Sequence, residues 1–459
     1  MFFGSKKCKI IAGRGSDPFM KRNIMTDLKE WKNRDDRKPL LLTGVRQCGK
    51  THIIREFGEA EFEDVAYFNF EEDETLGSAF DHDYKIARIL DDLGNIGRGK
   101  SIVPGKTLLI LDEIQACPRA LTSLKYFCEN QRDLHVIAAG SLPGVAIGKE
   151  NVSFPVGKVK RMRMYPMSFD EFVSADGGED LITGLKKMEA DREIPALYSV
   201  PLIRYLKLYY LIGGMPEAVK KWVETHQMEK VIEIQDEILQ DYADDFGKHA
   251  PVSEIPKIRM IWDSIPSQLA KDNHKFVFSH IKSGCRARDL EDAMRWLVDA
   301  GLIYQLHLTE KPEIPLSDMA DYTSYKVYMA DTGLLCRRSK VHYRTILEGD
   351  EQFVHYKGAL TENYVLSQLK SLNISAWYWT SNSKAEIDFL TDEGETICPI
   401  EVKSADNTKA KSLKLFCERY QPRKAFKTSL KNIGMNQEND TQIWSIPLYN
   451  LFNIRRYLV

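Results

Sequence analysis

The octapeptide Gly44-Val45-Arg46-Gln47-Cys48-Gly49-Lys50-Thr51 has the spacing G-x-x-x-x-G-K-[ST], and its residue types suit the holding of a phosphate chain. Gly44 and Gly49 allow the loop to turn its backbone N–H groups inward. A helix starting at the end of the loop adds a positive dipole end, so the segment Arg46, Gln47, Cys48, Gly49, Lys50, Thr51 can wrap an anion. Lys50 has the length to reach β- and γ-phosphates, and the Thr51 hydroxyl can ligate Mg²⁺, which makes ATP with Mg²⁺ the cofactor to expect. Leu40, Leu41 and Leu42 read as a buried strand before the loop, and Ile53, Ile54 and Phe57 share one helical face after it. The alternative reading is a glycine-bearing strand-to-helix turn with a surface lysine.

A second set of residues adds hydrolysis to binding. Thr107-Leu108-Leu109-Ile110-Leu111 is a continuous apolar run, as in a parallel strand covered on both faces, and it ends in Asp112-Glu113. Asp112 is placed to hold the Mg²⁺ shell and Glu113 to orient and deprotonate an attacking water. A third run, His135-Val136-Ile137-Ala138-Ala139, ends at Gly140-Ser141, where Ser141 is a candidate reader of the γ-phosphate or a plain cap.

A third constellation lies near the C-terminus. Glu386-Ile387-Asp388-Phe389-Leu390, a turn through residues 391–394, and Ile400-Glu401-Val402-Lys403 predict a hairpin with the spacing D-x(12)-E-x-K. Alternation places Ile387 with Phe389, and Ile400 with Val402, on buried faces, leaving Asp388, Glu401 and Lys403 to project from the other side. Two such carboxylates can hold a second Mg²⁺ or Mn²⁺, and Lys403 can stabilise a hydroxide or a phosphate oxygen. Glu362, on a helical run backed by Val365, Leu366 and Leu369, completes that candidate metal shell. Residues 402–430 carry eight Lys/Arg against two acids, a charge suited to a phosphate backbone, although an amphipathic solvated helix explains part of it.

The elements that must position these groups follow an α/β rhythm. Within a first unit at residues 20–170, residues 38–170 alternate strand-like and helix-like runs; residues 171–250 read as helical with Gly213-Gly214-Met215-Pro216 as the main break, and residues 251–345 read as a winged-helix region and linker. There Leu290, Ala293, Met294, Leu297 and Val298 share a helix face that Gly301 ends, and Leu302-Ile303-Tyr304-Gln305-Leu306 reads as the wing. Arg286, Arg288 and Arg295 are positioned to touch phosphate, unless the unit only packs. Residues 229–245, with seven acids and one lysine, read as a solvated face, and residues 346–459 form the last domain. Residues 1–19 read as a flexible leader or as the product of a start codon placed too early. No apolar run is long enough for a membrane span, and eight scattered cysteines suit a reducing, cytoplasmic setting. A net charge of −2 announces no global attraction to nucleic acid, so only local patches can bind it.

From about residue 20 to the end, the chain resembles bacterial and archaeal AAA-type P-loop ATPases fused to a C-terminal restriction-endonuclease-like domain of the PD-(D/E)xK type, a domain of unknown function. The resemblance rests on residues 44–51, Leu111-Asp112-Glu113-Ile114-Gln115, Ala138-Ala139-Gly140-Ser141-Leu142, Tyr165-Pro166-Met167-Ser168-Phe169 and Gly213-Gly214-Met215-Pro216. It continues through Arg286-Ala287-Arg288-Asp289-Leu290, residues 330–335, residues 357–363, residues 385–389 and residues 399–404. It implies a P-loop NTPase parallel sheet with a helical lid, a winged-helix middle domain and a C-terminal α/β nuclease-type fold around Asp388, Glu401 and Lys403. ATP is the implied partner, with DNA or RNA and further copies of the chain as open candidates, and cutting of nucleic acid does not follow from it. Pro143 stands where relatives more often carry an aliphatic residue, and Lys158 where many carry arginine, leaving Arg161 and Arg163 as guesses for an arginine finger.

Overall fold

The computed structural model describes residues 20–458 apart from 142–153, 272–274, 282–283, 285, 349–353, 382–384, 394–395 and 404–410. The expected leader and Pro143 lie outside the described residues. A five-stranded parallel sheet is built from β1 (Leu40–Gly44), β2 (Asp64–Asn69), β3 (Thr107–Asp112), β4 (His135–Gly140) and β5 (Lys160–Met164), in the order β2-β3-β4-β1-β5. Every residue of β3 and β4 is buried. Leu108 and Ile110 enter one core cluster while Leu109 and Leu111 enter another, so the apolar run covers both faces of one sheet by simple alternation.

Helices then dominate. Ala196–Ile212 ends at Gly213, Pro216–Thr225 follows, and the long helix Met228–His249 buries Met228, Val231, Gln235, Ile238, Tyr242 and Phe246 along one stripe. Ile255–Leu269 and Ala287–Asp299 come next, the latter burying Leu290, Ala293, Met294 and Leu297 as the spacing requires. Among the described residues no helix is long and apolar enough to cross a membrane.

The second sheet has eight strands in the order β12-β13-β11-β10-β9-β8-β6-β7. These are β6 (Ile303–Thr309), β7 (Ala320–Met329), β8 (Trp377–Thr380), β9 (Glu386–Thr391), β10 (Cys398–Val402), β11 (Lys424–Ser429), β12 (Gly434–Glu438) and β13 (Thr441–Pro447). The antiparallel hairpin β6–β7, whose first strand overlaps the run 302–306 read from sequence as a wing, forms one edge of this sheet through the parallel pairing of Leu308 with Tyr378. The hairpin β9–β10 is antiparallel, with Phe389 opposite Ile400. One expectation is corrected here: Ile387 and Phe389 do not share a core. Two residues of β8 step past three of β9 between Trp377↔Leu390 and Trp379↔Ile387. That bulge sends Ile387 to a cluster with Trp379 and Leu390, while Phe389 joins Ile400 and Val402 in the main core.

Candidate functional site

The phosphate-type loop leaves β1 at Gly44, where a Cβ would lie 2.3 Å from the Met164 carbonyl oxygen of β5. Gln47 (φ 63°) and Gly49 (φ 95°) are left-handed, and the Cys48 N–H donates to Val45 O at 3.3 Å, so the backbone curls on itself before the helix Lys50–Glu61 begins. Lys50 is buried, and its Nζ donates to Gly44 O at 3.0 Å and Val45 O at 3.1 Å. The Thr51 hydroxyl donates to Asp112 Oδ2 at 2.7 Å. A hydroxyl and a carboxylate brought together at the start of a helix are the donor types that fit the Mg²⁺ of a bound nucleotide. Sequence reading missed Tyr67, whose hydroxyl donates to the same Asp112 oxygen at 2.9 Å. Burial, and then the Asp112 charge, hold the Tyr67 hydroxyl above its ordinary pKa.

Glu113 takes a left-handed conformation (φ 49°), which turns the chain sharply off the tip of β3. Burial pushes its carboxyl upward in pKa, opposed by the Gln115 side chain, whose amide donates to Glu113 Oε2 at 2.5 Å and to Glu71 Oε1 at 3.1 Å. Gln115 stands out in the sequence only as part of a motif. Gly140 makes room for it, since a Cβ there would lie 2.3 Å from Gln115 Oε1. Because β4 lies between β1 and β3, Ser141 emerges buried between the loop and the acid pair.

The helix Met228–His249 contacts this loop. Arg46 Nη1 meets Asp245 Oδ1 at 2.5 Å, Gln47 Nε2 donates to Asp241 Oδ2 at 2.6 Å, and the Tyr242 hydroxyl donates to Arg46 O at 3.0 Å. The acidic run 229–245 is therefore not simply a solvated face; two of its carboxylates hold loop side chains. Arg22, unmarked in the sequence, donates to Cys48 O at 3.0 Å and Tyr165 O at 2.6 Å while pairing with Glu171. Gly301 presses against the loop as well, a Cβ there meeting Val45 N at 3.3 Å. Asp331 accepts from Gly214 N at 2.6 Å and Leu334 N at 2.8 Å, joining two sequence motifs that no spacing connects. The arginine-finger guesses are both engaged within the chain, with Arg161 over the Phe154 ring and Arg163 beside Tyr165 and Tyr304. Lys158 pairs with Glu129.

In the C-terminal sheet, the hairpin register brings Asp388 beside Glu401, with Asp388 Oδ2 accepting from Val402 N at 2.7 Å. Glu401 is buried; its Oε1 meets Lys403 Nζ at 2.6 Å, and its Oε2 has no hydrogen-bond partner among the described residues. Glu362, on the helix Val354–Ser371, accepts from the Tyr328 hydroxyl at 2.7 Å. Lys326, wholly buried on β7, reaches Glu386 Oε1 at 2.5 Å and Glu362 Oε2 at 3.6 Å, with its ammonium 5.3 Å from the Tyr378 ring centre. Burial raises the Asp388 pKa well above the carboxylate range, and the Glu362 and Glu401 charges add to it. Glu401 is raised by burial against the opposing pull of Lys403. Burial draws Lys326 down, but Glu362, Glu386 and Asp388 outweigh it and leave the ammonium more basic than usual. Sequence reading placed Glu362, Asp388, Glu401 and Lys403 in this neighbourhood and missed Lys326, Tyr328 and Glu386. The expected metal shell is not assembled by this arrangement: among the described residues no group of three or more His, Cys, Asp or Glu side chains is set to hold a metal ion.

Residues 36–173 match the family model for an AAA domain. Residues 203–345 and 357–451 match two domains of unknown function, DUF8612 and DUF4143. The chain is similar in structure to a Walker-type ATPase of Pyrococcus abyssi, at 14% identity over 70% of this chain and 96% of that one, with a TM-score of 0.44. It is also similar to the Aeropyrum pernix Orc1 protein solved in complex with DNA, at 13% identity over 70% and 94% of the two chains, with a TM-score of 0.28. For AMPPCP-bound DnaA of Aquifex aeolicus the identity is 16% over 63% and 90%, with a TM-score of 0.24. No curated protein matches the chain. The matched stretch and the loop it contains make residues 36–173 an AAA-type P-loop ATPase domain.

Proposed function

We propose that the chain is an ATP-hydrolysing switch whose nucleotide state controls a C-terminal domain that engages nucleic acid. Lys50 exchanges the Gly44 and Val45 carbonyls for β- and γ-phosphate oxygens, and Thr51 with Asp112 holds the Mg²⁺ shell. Bound Mg²⁺ neutralises phosphate charge. Glu113, steadied by Gln115, orients and deprotonates the water, and Ser141 reads the γ-phosphate.

The observation that carries the switch is the double anchoring of the hairpin β6–β7. Gly301, just before β6, packs on Val45 of the loop, and Asp331, just after β7, holds Gly214. Gly214 lies two residues from Pro216, whose ring would meet a Cβ on Gly49 at 3.6 Å. Rearrangement of the loop around phosphate thus bears on both ends of a hairpin that belongs to the C-terminal sheet.

In that sheet the set Asp388, Glu401 and Lys403 has the residue types of metal-dependent attack on a phosphodiester, but the described residues do not assemble the shell that such attack needs. A second reading, in which the nuclease-like domain grips nucleic acid or a protein partner without cutting, is favoured by the two lysines already paired with its carboxylates. The test is incubation with ATP, plasmid DNA and structured RNA in Mg²⁺ or Mn²⁺, beside Lys50→Ala, Asp388→Ala and Lys403→Ala. ATP turnover lost only in Lys50→Ala, with cleavage lost in the other two, is the switch-and-nuclease outcome. Turnover without cleavage of any substrate selects the gripping form, and absence of ATP turnover in the parent protein refutes the switch.

A further inference from the structure

Asp112 is buried at the tip of β3, so its carboxylate depends on protein donors to replace lost hydration. The Glu113 N–H donates to Oδ1 at 3.0 Å, and the Thr51 and Tyr67 hydroxyls donate to Oδ2 at 2.7 and 2.9 Å. Glu113 and Thr51 belong to the two nucleotide motifs. Tyr67 does not: it lies on β2, two residues before Asn69, the register partner of Asp112. Alternation puts Tyr67 and Asp112 on the sheet face that the helix Lys50–Glu61 covers. That helix supplies Thr51 and, one turn later, Arg55, whose guanidinium lies over the Tyr67 ring at 4.3 Å from its centre. The Asn69 amide makes a long contact of 3.5 Å with the Tyr67 hydroxyl oxygen. With a donor on its lone pair and a cation on its ring, Tyr67 is set to give its proton to Asp112.

We propose that Tyr67 is a positioning residue for the metal that accompanies the nucleotide: its hydroxyl holds the Asp112 carboxylate in a fixed orientation, so that Mg²⁺ meets a preset group. The inference rests on the reading of Asp112 as a holder of the Mg²⁺ shell and adds the residue that presets it. A hydroxyl has one proton and two lone pairs, so Thr51 can keep its proton on Asp112 while its oxygen faces the ion. Without the Tyr67 hydroxyl, Thr51 is the one side chain left on Asp112 Oδ2 among the described residues, and it must then serve the ion and hold its neighbour at once. Less of the shell is ordered in advance, and the cation binds more weakly.

The experiment separates metal from nucleotide on the full chain. Equilibrium binding of a fluorescent, non-hydrolysable ATP analogue is measured in chelator and across a Mg²⁺ titration, for the parent, Tyr67→Phe, Asp112→Asn and the double variant. Tyr67→Phe keeps the ring under Arg55 and removes only the hydroxyl. It is expected to raise the Mg²⁺ needed for half-maximal tight binding roughly three- to tenfold, the scale of one hydrogen bond to a charged group. Its affinity for the analogue in chelator should stay within about twofold of the parent's, which a general loosening of the site would not allow. In the Asp112→Asn background the same change should add nothing. An unchanged Mg²⁺ requirement in Tyr67→Phe, with the requirement altered in Asp112→Asn, overturns the role of Tyr67 and leaves the reading of Asp112 standing. A lower Mg²⁺ requirement in Tyr67→Phe would make the hydroxyl a competitor for the carboxylate and overturns the proposal, as does an equal loss of affinity with and without metal. A parent protein whose affinity for the analogue does not respond to Mg²⁺ overturns both.

Discussion

Arg46 of the phosphate loop and Asp245 of the helix Met228–His249 form an ion pair 2.5 Å long, and the neighbouring contact of Gln47 with Asp241 repeats the pattern one residue further along the loop. That helix thereby holds two of the loop's side chains, and Glu71 adds a second carboxylate 3.9 Å from Arg46. Phosphate must compete with these carboxylates for the guanidinium. Asp245→Asn is predicted to tighten ATP binding roughly three- to tenfold, the scale of a partly exposed ion pair. Equilibrium binding of a fluorescent ATP analogue measures this, and weaker binding would mean that Asp245 supports the nucleotide-bound loop instead.

Glu113 has a raised pKa because it is buried, and Gln115 opposes that rise by donating to its carboxylate. A general base works only when ionised, so turnover should fall on acidification at a higher pH than an ordinary glutamate gives. Gln115→Leu removes the opposing hydrogen bond and should move the acid limb of the rate profile further upward. Glu113→Gln should retain ATP binding and lose turnover by about a hundredfold or more. Steady-state rates from pH 5 to 9 test both, and normal turnover in Glu113→Gln would remove that residue from the mechanism.

Asp331 is buried beneath Gly214, and burial pushes its carboxyl up to about 6 despite the N–H donors of Gly214, Leu334 and Gly333. Its pKa is thus higher folded than unfolded, so the folded chain binds the proton more tightly. That contribution is complete below about pH 4 and is lost as pH rises through about 6, on the order of 3 kcal/mol in all. Asp331→Asn should flatten the pH dependence of stability across this window. Urea midpoints at stepped pH supply the comparison, and an unchanged slope in the variant would assign the dependence to other groups.

The nucleotide site was readable because its determinants are contiguous or periodic: one loop, one strand tip, and apolar runs that fix which way each strand faces. Asp388, Glu401 and Lys403 stood out by spacing alone, whereas the register of the hairpin that carries them did not, because alternation within each strand does not say which residues pair across it. The bulge that separates Ile387 from Phe389 was not readable either, because it depends on β8 as the neighbour. Nor was Lys326, whose partners Glu362 and Glu386 lie 36 and 60 residues further along the chain and meet it only when the β6–β7 hairpin joins the C-terminal sheet. Asp241 and Asp245 looked like solvated charge because nothing in a helical stripe tells which acids have a loop lying across them.

ATP binding and turnover by the purified chain, set beside Lys50→Ala and Thr51→Ala in Mg²⁺, test the central claim most directly. The loop geometry predicts that the parent protein binds and hydrolyses ATP, that Lys50→Ala loses both, and that Thr51→Ala loses the dependence on Mg²⁺. A parent protein that neither retains nor consumes nucleotide, or a Lys50→Ala protein that does so unimpaired, would contradict it.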